Sequence, residues 1–175
     1  LEEAAGREGA VDVSLAGLTT LGCGGPAALL VEAGGANALA AILAVAADSN
    51  LPWCVLGRGT NLLVSDRGWD GLVIRLSGEL AACEAEGEQL RCGGGLPLPR
   101  AAALAAEAGL SGLEPLAGIP GSVGGAVAMN AGAFGASMAD LTGSVELCLP
   151  GETRILEAAE VGFAYRSASF PPNTV

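Results

Sequence analysis

The sequence predicts an α+β fold in two lobes, a small βαβ lobe followed by a lobe that combines a mixed or antiparallel sheet with helices. In the first half, short apolar runs alternate with one helix-like stretch. In the second half, strand candidates occur in pairs separated by turn residues. The 175 residues are enough to bury one substantial core or two small ones.

The first lobe is predicted from apolar runs on both sides of one helix. Residues 37–49 carry apolar side chains at helical spacing, which predicts an amphipathic helix. Four short apolar runs surround it and predict strands: 28–32, 53–56, 62–64 and 71–76. A helix between strands gives this lobe βαβ character.

The second lobe is predicted from two strand pairs and a helix. Pro99 fits the first turn of a helix that runs through Ala108 and stops at Gly109. Pro150-Gly151-Glu152 has the composition of a hairpin turn. The predicted antiparallel pairs are 80–85 with 88–92, and 144–149 with 153–156.

The basic residues restrict the chemistry. All eight are arginines, and the sequence has neither lysine nor histidine. This excludes a P-loop and Schiff-base chemistry, which need lysine. It also excludes a histidine base and any histidine metal ligand. The net charge of −11 argues against nucleic acid or an anionic membrane as a partner.

The cysteines and the apolar runs suggest a cytosolic enzyme without a metal site. Five cysteines occur without a C-x-x-C pair, so we expect small buried thiols rather than disulfides or a zinc site. No secretory apolar region opens the chain, and no run of 18 apolar residues is free of charge or glycine. We therefore expect a cytoplasmic location.

A glycine-rich segment over residues 118–133 is the strongest sign of a ligand. Glycine permits positive φ and removes the Cβ that would hold a ligand away from the backbone. The Gly-Ser-Val-Gly-Gly turn opens an apolar run, so we expect a helix start there with unpaired N–H groups, which would bind an anion. The alternative is a tight buried loop that merely needs small residues.

A second glycine loop occupies residues 57–61. It has the sequence Gly57-Arg58-Gly59-Thr60-Asn61 between two predicted strands. Its main-chain donors, one arginine and two short polar side chains can wrap a diphosphate. An ordinary hairpin with a bulge is the alternative.

The pattern G-x-G-x-x-A at residues 22–27, with Asp48 downstream, imitates a dinucleotide-binding fingerprint. That fingerprint must open a helix, whereas residues 29–31 predict a strand. We therefore do not expect a Rossmann site.

The order and spacing of these segments resemble the UDP-N-acetylenolpyruvoylglucosamine reductases, flavoenzymes of the vanillyl-alcohol-oxidase type that serve peptidoglycan synthesis. The resemblance covers nearly the whole chain, with Gly22 as a small departure. Its blocks are residues 18–21, 24–27, 56–66, 109–114, 118–135 and 163–167.

The resemblance implies a two-lobed FAD-binding fold with non-covalent FAD and with NADPH as the co-substrate. It implies residues 18–77 and 78–175 as the two FAD-binding lobes, after an extension over 1–17. Ser122 would donate a hydrogen bond to the cofactor. The expected cofactor residues are Gly57, Arg58, Gly59, Thr60, Asn61, Ile119, Gly121, Ser122, Gly124, Gly125 and Asn130.

The resemblance also implies a substrate site at Tyr165 and Arg166. In the family, an arginine in this block lies beside the flavin and binds the enolpyruvyl carboxylate of the UDP-sugar substrate. A fixed guanidinium would stabilise the charge that develops when hydride reaches the enol carbon. Tyr165 is expected to shape the pocket.

The chain departs from the family by stopping soon after Arg166 and by starting without methionine. We expect a fragment that lacks the substrate domain, with its proton-donor serine and its glutamate. Two alternatives remain: the FAD domain of another vanillyl-alcohol-oxidase-type oxidoreductase, or a non-enzymatic flavin-binding module.

Overall fold

A computed structural model of the chain describes residues 9–175. The first lobe is built on a four-stranded sheet with the order β1-β2-β4-β3, in which β2, β4 and β3 are parallel and β1 is antiparallel to β2. Its strands are β1 (Ala10–Ser14), β2 (Pro26–Ala33), β3 (Trp53–Val55) and β4 (Trp69–Leu76). Helix α1 (Ala36–Asp48) connects β2 to β3. β1 lies inside the segment that the sequence analysis assigned to an extension.

Helix α1 covers this sheet because its apolar residues recur on one face. Leu39, Ile42 and Leu43 are fully buried and pack in one cluster with Leu72 and Ile74 of β4. Burying each such side chain contributes roughly 1.5–3 kcal/mol. The predicted helix and the strands at 28–32, 53–56 and 71–76 are confirmed within a few residues at their ends.

The predicted strand over residues 62–64 is wrong. The chain from residue 56 to residue 68 is one long loop between β3 and β4. Leu62 and Leu63 are 41% and 76% exposed, so this apolar run has no layer to pack against. Because β3 and β4 are parallel neighbours, their connection must run back along the sheet, and this loop does so without a helix.

The second lobe contains three hairpins and three short helices. The hairpin strands are β5 (Cys83–Glu86) with β6 (Gln89–Cys92), β7 (Gly132–Ala133) with β8 (Ala136–Ser137), and β9 (Ser144–Leu149) with β10 (Glu152–Glu157). The helices are α2 (Leu98–Glu107), α3 (Val123–Ala128) and α4 (Met138–Leu141). Gly109 follows α2 with φ +73°, as its predicted role in ending the helix requires.

The strand predicted over 80–85 begins later than expected. Residues Gly78–Ala81 form a 3-10 turn, and β5 starts only at Cys83. Gly78 has φ +55°, and a Cβ there would lie 2.6 Å from the carbonyl oxygen of Gly34. This close approach to the end of β2 holds the turn and delays the strand.

The β9–β10 hairpin joins the second lobe to α1. The backbone N–H of Gly151 donates to the carbonyl of Ala40, and Cys148 and Val175 exchange two backbone hydrogen bonds. Cys148 is buried in the same core cluster as the face of α1. None of the helices between residues 9 and 175 has the length and apolar character needed to cross a membrane.

Candidate functional site

The two glycine loops singled out from the sequence touch each other. The Thr60 hydroxyl donates to the carbonyl oxygen of Pro120 over 3.2 Å. A Cβ on Gly57 would lie 2.6 Å from Oγ of Ser122, and one on Gly121 would lie 3.5 Å from Oγ1 of Thr60. The structure therefore brings loop 57–61 and the turn before α3 into one surface.

This surface presents unpaired backbone donors. Within the described residues, the N–H groups of residues 57–64 donate to no protein acceptor, and the same holds for those of Gly121 and Ser122. Gly59 has φ +64°, so the backbone there turns through the left-handed region. Consecutive N–H groups around such a turn form a concavity that suits an anion.

Two arginines lie beside these donors. Arg58 and Arg75 line one cavity of about 210 Å³ together with Gly57, Gly17 and Leu18. In the described part of the chain neither arginine forms an ion pair. In an acidic protein, two unpaired guanidinium groups at one cavity favour an anionic ligand.

Arg75 was not among the residues predicted from the sequence. It follows Ile74 on β4, which pairs in parallel with Val55 of β3, just before the glycine loop. The carboxyl ends of neighbouring parallel strands share one edge of a sheet, so the pairing of these two strands was the signal that could have found Arg75.

The glycines of the first loop serve protein packing. A Cβ on Gly59 would overlap the carbonyl oxygen of Leu18 and lie 2.8 Å from Cα of Thr19. The N–H of Thr20 also donates to the carbonyl of Gly59. The sequence analysis expected bare backbone to face a ligand. Instead, the bare backbone of Gly59 is required for contact with residues 18–20.

The start of α3 differs from the prediction of unpaired N–H groups, because the protein itself satisfies them. Ser122 is the N-cap, is 5% exposed, and its Oγ accepts a hydrogen bond from Gly125. The other donors are paired as follows: Val123 N–H to Leu96 O, Gly124 N–H to Gly94 O, and Ala126 N–H to Ser122 O. The sequence analysis missed the glycine segment 93–95 that supplies this cap. The unpaired N–H donors belong to Gly121 and Ser122, the two residues before the first residue of α3.

A second cavity lies at the other end of α3. It has a volume of about 440 Å³, and its lining includes Asn130, Asp140, Tyr165 and Arg166. α3 has six residues, so about 9 Å separates its two ends at 1.5 Å per residue. Gly57 of the first cavity lies against Ser122 at the amino end of α3, and Asn130 of the second cavity follows its carboxyl end.

Arg166 stands at the tip of a tight turn. The backbones of Ala164 and Ser167 exchange hydrogen bonds of 2.9 and 3.2 Å, which close the turn. Arg166 has φ +57°, and its guanidinium carbon lies 5.9 Å from the centre of the Tyr165 ring. Among the described residues it forms no ion pair. The guanidinium is thus available to an anionic group in the cavity.

Asn130 holds this turn in place. Its Nδ2 donates to the carbonyl of Ala164 over 3.0 Å, and its Oδ1 accepts from the N–H of Ala139 over 2.9 Å. Its φ of +39° is in the left-handed region that asparagine tolerates better than most residues. The structure therefore gives Asn130 a positioning contact with the Arg166 turn, beyond the cofactor contact predicted from the sequence.

Asp140 is the acidic group of the second cavity, and its carboxylate already accepts two hydrogen bonds from within the protein. The hydroxyl and backbone N–H of Ser137 donate to its carboxylate over 2.7 and 2.8 Å. These bonds lower the pKa of Asp140 below its usual value. The carboxylate therefore stays ionised while it caps α4.

Two further residues complete the comparison with the sequence. Ile119 is half-buried and packs against the apolar cluster around Leu116, so the structure places its side chain in a core. Phe134, which was not predicted as a site residue, is 94% exposed and stands in sequence between Ala133 and Gly135, which line the second cavity. An aromatic residue in a short glycine-flanked hairpin was the available signal.

Comparison with known sequences gives one family and a consistent set of relatives. Residues 27–158 match the family model described as FAD binding domain. The UDP-N-acetylenolpyruvoylglucosamine reductase of Anaeromyxobacter sp. (strain Fw109-5) is 43% identical over 94% of this chain and 52% of that protein. The reductase of Bacillus subtilis (strain 168) is 44% identical over 88% of this chain and 51% of that protein. The chain thus spans about half the length of the curated relatives it matches.

Solved structures agree. The UDP-N-acetylenolpyruvylglucosamine reductase of Thermus caldophilus superposes with a TM-score of 0.81 at 41% identity, over 96% of this chain and 58% of that one. Glucooligosaccharide oxidase from Acremonium strictum gives 0.54 at 16% identity, over 81% of this chain and 34% of that one, a likeness of fold alone. The predicted fold and the resemblance to the reductases are confirmed.

The packing of Gly59 predicts a difference between two glycines of similar backbone conformation. Gly22 has φ +66°, and no atom lies within 4 Å of a Cβ built there. Gly22→Ala should therefore cost only the left-handed strain, about 1–2 kcal/mol of unfolding free energy. Gly59→Ala should cost roughly 1–3 kcal/mol more because its Cβ meets backbone. Urea unfolding of the two variants checks this, and equal losses would contradict the packing.

The bonds of Asn130 predict that its side chain stabilises the Arg166 turn. Asn130→Gly removes both bonds without backbone strain and should cost roughly 1–3 kcal/mol, about 0.5–1.5 per bond. Asn130→Ala should cost about 1 kcal/mol more, since alanine is strained at φ +39°. Hydrogen exchange at the Ser167 amide should become faster in both variants. Unchanged exchange would show that the turn does not depend on Asn130.

Proposed function

The chain belongs to the FAD binding domain family, and we propose that it binds FAD non-covalently with the pyrophosphate on loop 57–61. The observation that supports this most is the run of unpaired N–H groups over residues 57–64, which begins at a cavity lined by Gly57, Arg58 and Arg75. Gly121 and Ser122 add donors from the facing turn. A diphosphate satisfies such donors and neutralises the two guanidinium groups at once.

The second cavity suits the other end of the cofactor. The remaining cofactor residues proposed from the sequence lie along α3 or in the second cavity: Gly124, Gly125 and Asn130. Asn130 follows α3 and lines the same cavity as Arg166, so a ligand that extends from the pyrophosphate site along this helix would enter that cavity. We place the flavin ring there, while Ile119 contributes to the supporting core.

Non-covalent binding follows from the residue types present. The sequence contains no histidine that could carry a flavin. Cys54 packs in the apolar cluster with Leu56 and Val73, and burial raises the pKa of its thiol. A thiol that stays protonated is a poor nucleophile, so Cys54 is not suited to a flavin bond.

For the whole protein we propose the reductase activity that the names of its relatives give. We propose that NADPH is the electron donor and that UDP-N-acetylglucosamine enolpyruvate is reduced to UDP-N-acetylmuramate for peptidoglycan synthesis. FAD would supply the hydride transfer. Arg166 would bind the enolpyruvyl carboxylate and stabilise the charge that develops on it, because its guanidinium is exposed and unpaired on a fixed turn. Tyr165 would shape the same pocket. The glucooligosaccharide oxidase shares only the fold with this chain, which gives an oxidase activity no support.

The pyrophosphate assignment predicts a ligand-specific effect of the two arginines. Arg58→Gln or Arg75→Gln should each weaken FAD binding by about 10- to 150-fold, the worth of a hydrogen bond to a charged group. Riboflavin, which has no phosphate, should bind these variants as it binds the parent. Arg154→Gln on β10 is the matched control for charge, because Arg154 lines neither cavity.

Titration of flavin fluorescence measures these affinities. FAD affinity that also falls as ionic strength rises would agree with contact between the arginines and the phosphates. An equal loss of affinity for FAD and riboflavin would show that the pyrophosphate does not bind in this cavity. Flavin that stays attached after acid precipitation would contradict non-covalent binding.

The role of Arg166 predicts a defect in turnover. In a form with the full length of the relatives, Arg166→Ala should lower kcat by about 10²–10³-fold, the usual cost of one donor to a developing anion. The 175-residue chain alone should not turn over, because it spans about half the length of its relatives and would lose much of the substrate orientation, which is worth up to about 7–11 kcal/mol. NADPH oxidation coupled to UDP-N-acetylmuramate formation measures both. An unchanged turnover rate in the Arg166→Ala variant would show that Arg166 takes no part in the reaction.

A further inference from the structure

Two cysteines of the second lobe face each other across the β5–β6 hairpin. Cys83 and Cys92 are direct partners in its register, and their Sγ atoms are 3.3 Å apart. Both are free thiols and only partly buried, so a small reagent can reach them. Each of the other three cysteines lacks a thiol partner among the described residues.

The position of this pair in the ladder suits a disulfide. The next pair outward is Ala82 with Gly93, and the Gly93 N–H donates to the carbonyl of Ala82. Because hydrogen-bonded and non-hydrogen-bonded pairs alternate in an antiparallel ladder, Cys83 and Cys92 form a non-hydrogen-bonded pair, with Cα atoms about 4.5 Å apart. Disulfides span Cα distances of about 4.4–6.8 Å, so the bond can form without moving the strands.

A metal site does not explain the two thiols. Within residues 9–175, no cluster of three or more histidine, cysteine, aspartate or glutamate side chains could hold a metal ion. Two thiolates alone leave a tetrahedral metal with half of its ligands missing. The pair therefore has the geometry of a dithiol.

We propose that Cys83 and Cys92 are a reversible oxidation site that reacts with low-molecular-weight disulfides of the glutathione type. The Cys83 thiolate attacks one sulfur of the small disulfide, breaks its S–S bond and releases one small thiol. Cys92 loses its proton and attacks the Cys83 sulfur, which releases the second small thiol. The two cysteines lose two electrons and two protons, and the small disulfide becomes two thiols.

The surroundings of Cys92 set the order of the two steps. Burial, with smaller contributions from the hydrogen bond and the charge of Cys83, raises the pKa of Cys92 to about 12. Cys92 is thus a thiol at neutral pH and cannot attack first. The contributions from Cys83 disappear once Cys83 is bonded to the small thiol, which lowers the pKa of Cys92 for the second step. Oxidation should therefore become faster as pH rises.

The disulfide between Cys83 and Cys92 would lie next to the segment that holds the start of α3. β6 runs directly into the segment 93–95, whose Gly94 carbonyl accepts the N–H of Gly124 at the start of α3. The exposed ion pair of Arg91 with Glu146, at 2.8 Å, also ties β6 to β9. Oxidation would fix the base of this hairpin and raise the unfolding temperature of the chain. This inference does not depend on the proposed cofactor.

Peptide mapping of the intact 175-residue chain tests the proposal. The chain is incubated with oxidised glutathione at several ratios to reduced glutathione, remaining thiols are alkylated, and trypsin is added. Cleavage after Arg75, Arg91 and Arg100 separates peptide 76–91, with Cys83, from peptide 92–100, with Cys92. We expect one species in which these two peptides are linked, and its loss on treatment with dithiothreitol.

Controls distinguish this pair from general thiol oxidation. Cys54→Ser should leave the 76–91 to 92–100 link unchanged, whereas Cys92→Ser should leave Cys83 as a stable mixed disulfide with glutathione. Links that involve Cys54 or Cys148 instead would overturn the proposal. So would glutathione adducts on the parent chain without a link at any ratio. The map of the parent chain decides the question even if a variant does not fold.

Discussion

The contact of the loop after β3 with residues 18–20 and with the turn before α3 is the constraint on which the site depends. Gly59 meets the backbone of Leu18 and Thr19, and Gly57 meets the Ser122 hydroxyl. These contacts leave no room for a side chain on the inner face of the loop. The N–H groups of residues 57–64 have no protein acceptor among the described residues, and Gly57 and Arg58 at the start of this run line the first cavity.

The sequence predicted those parts of the fold in which local pattern and burial agree. Helix α1 was found because its apolar residues repeat on one face, and α2 because proline and glycine mark its ends. The strand predicted over residues 62–64 was wrong because an apolar run does not show whether other elements of the protein pack over it. The site was found where glycines cluster, but Arg75 and the segment 93–95 were missed, since both act through strands distant in sequence.

Helix α3 sets the distance between the two ends of the site. Its amino end is capped from within the protein by the segment 93–95 and by Ser122, and its carboxyl end leads into Asn130. Because neither end can shift without breaking these bonds, the spacing of the two cavities is fixed. Arg58, Arg75 and Arg166, which form no ion pair with any described residue, therefore stand at set positions on a chain of net charge −11, where they concentrate positive potential locally.

The parallel pairing of β2 with β4 has a consequence for the order of folding. β2 ends at Ala33 and β4 starts at Trp69, so this pairing must close a long loop before it gains any stabilising contact. The first cavity lies between the carboxyl ends of β3 and β4, and it cannot exist before that closure. We expect helix signals to recover first on dilution from urea, with the capacity to bind flavin following in a slower phase that stopped-flow fluorescence would resolve.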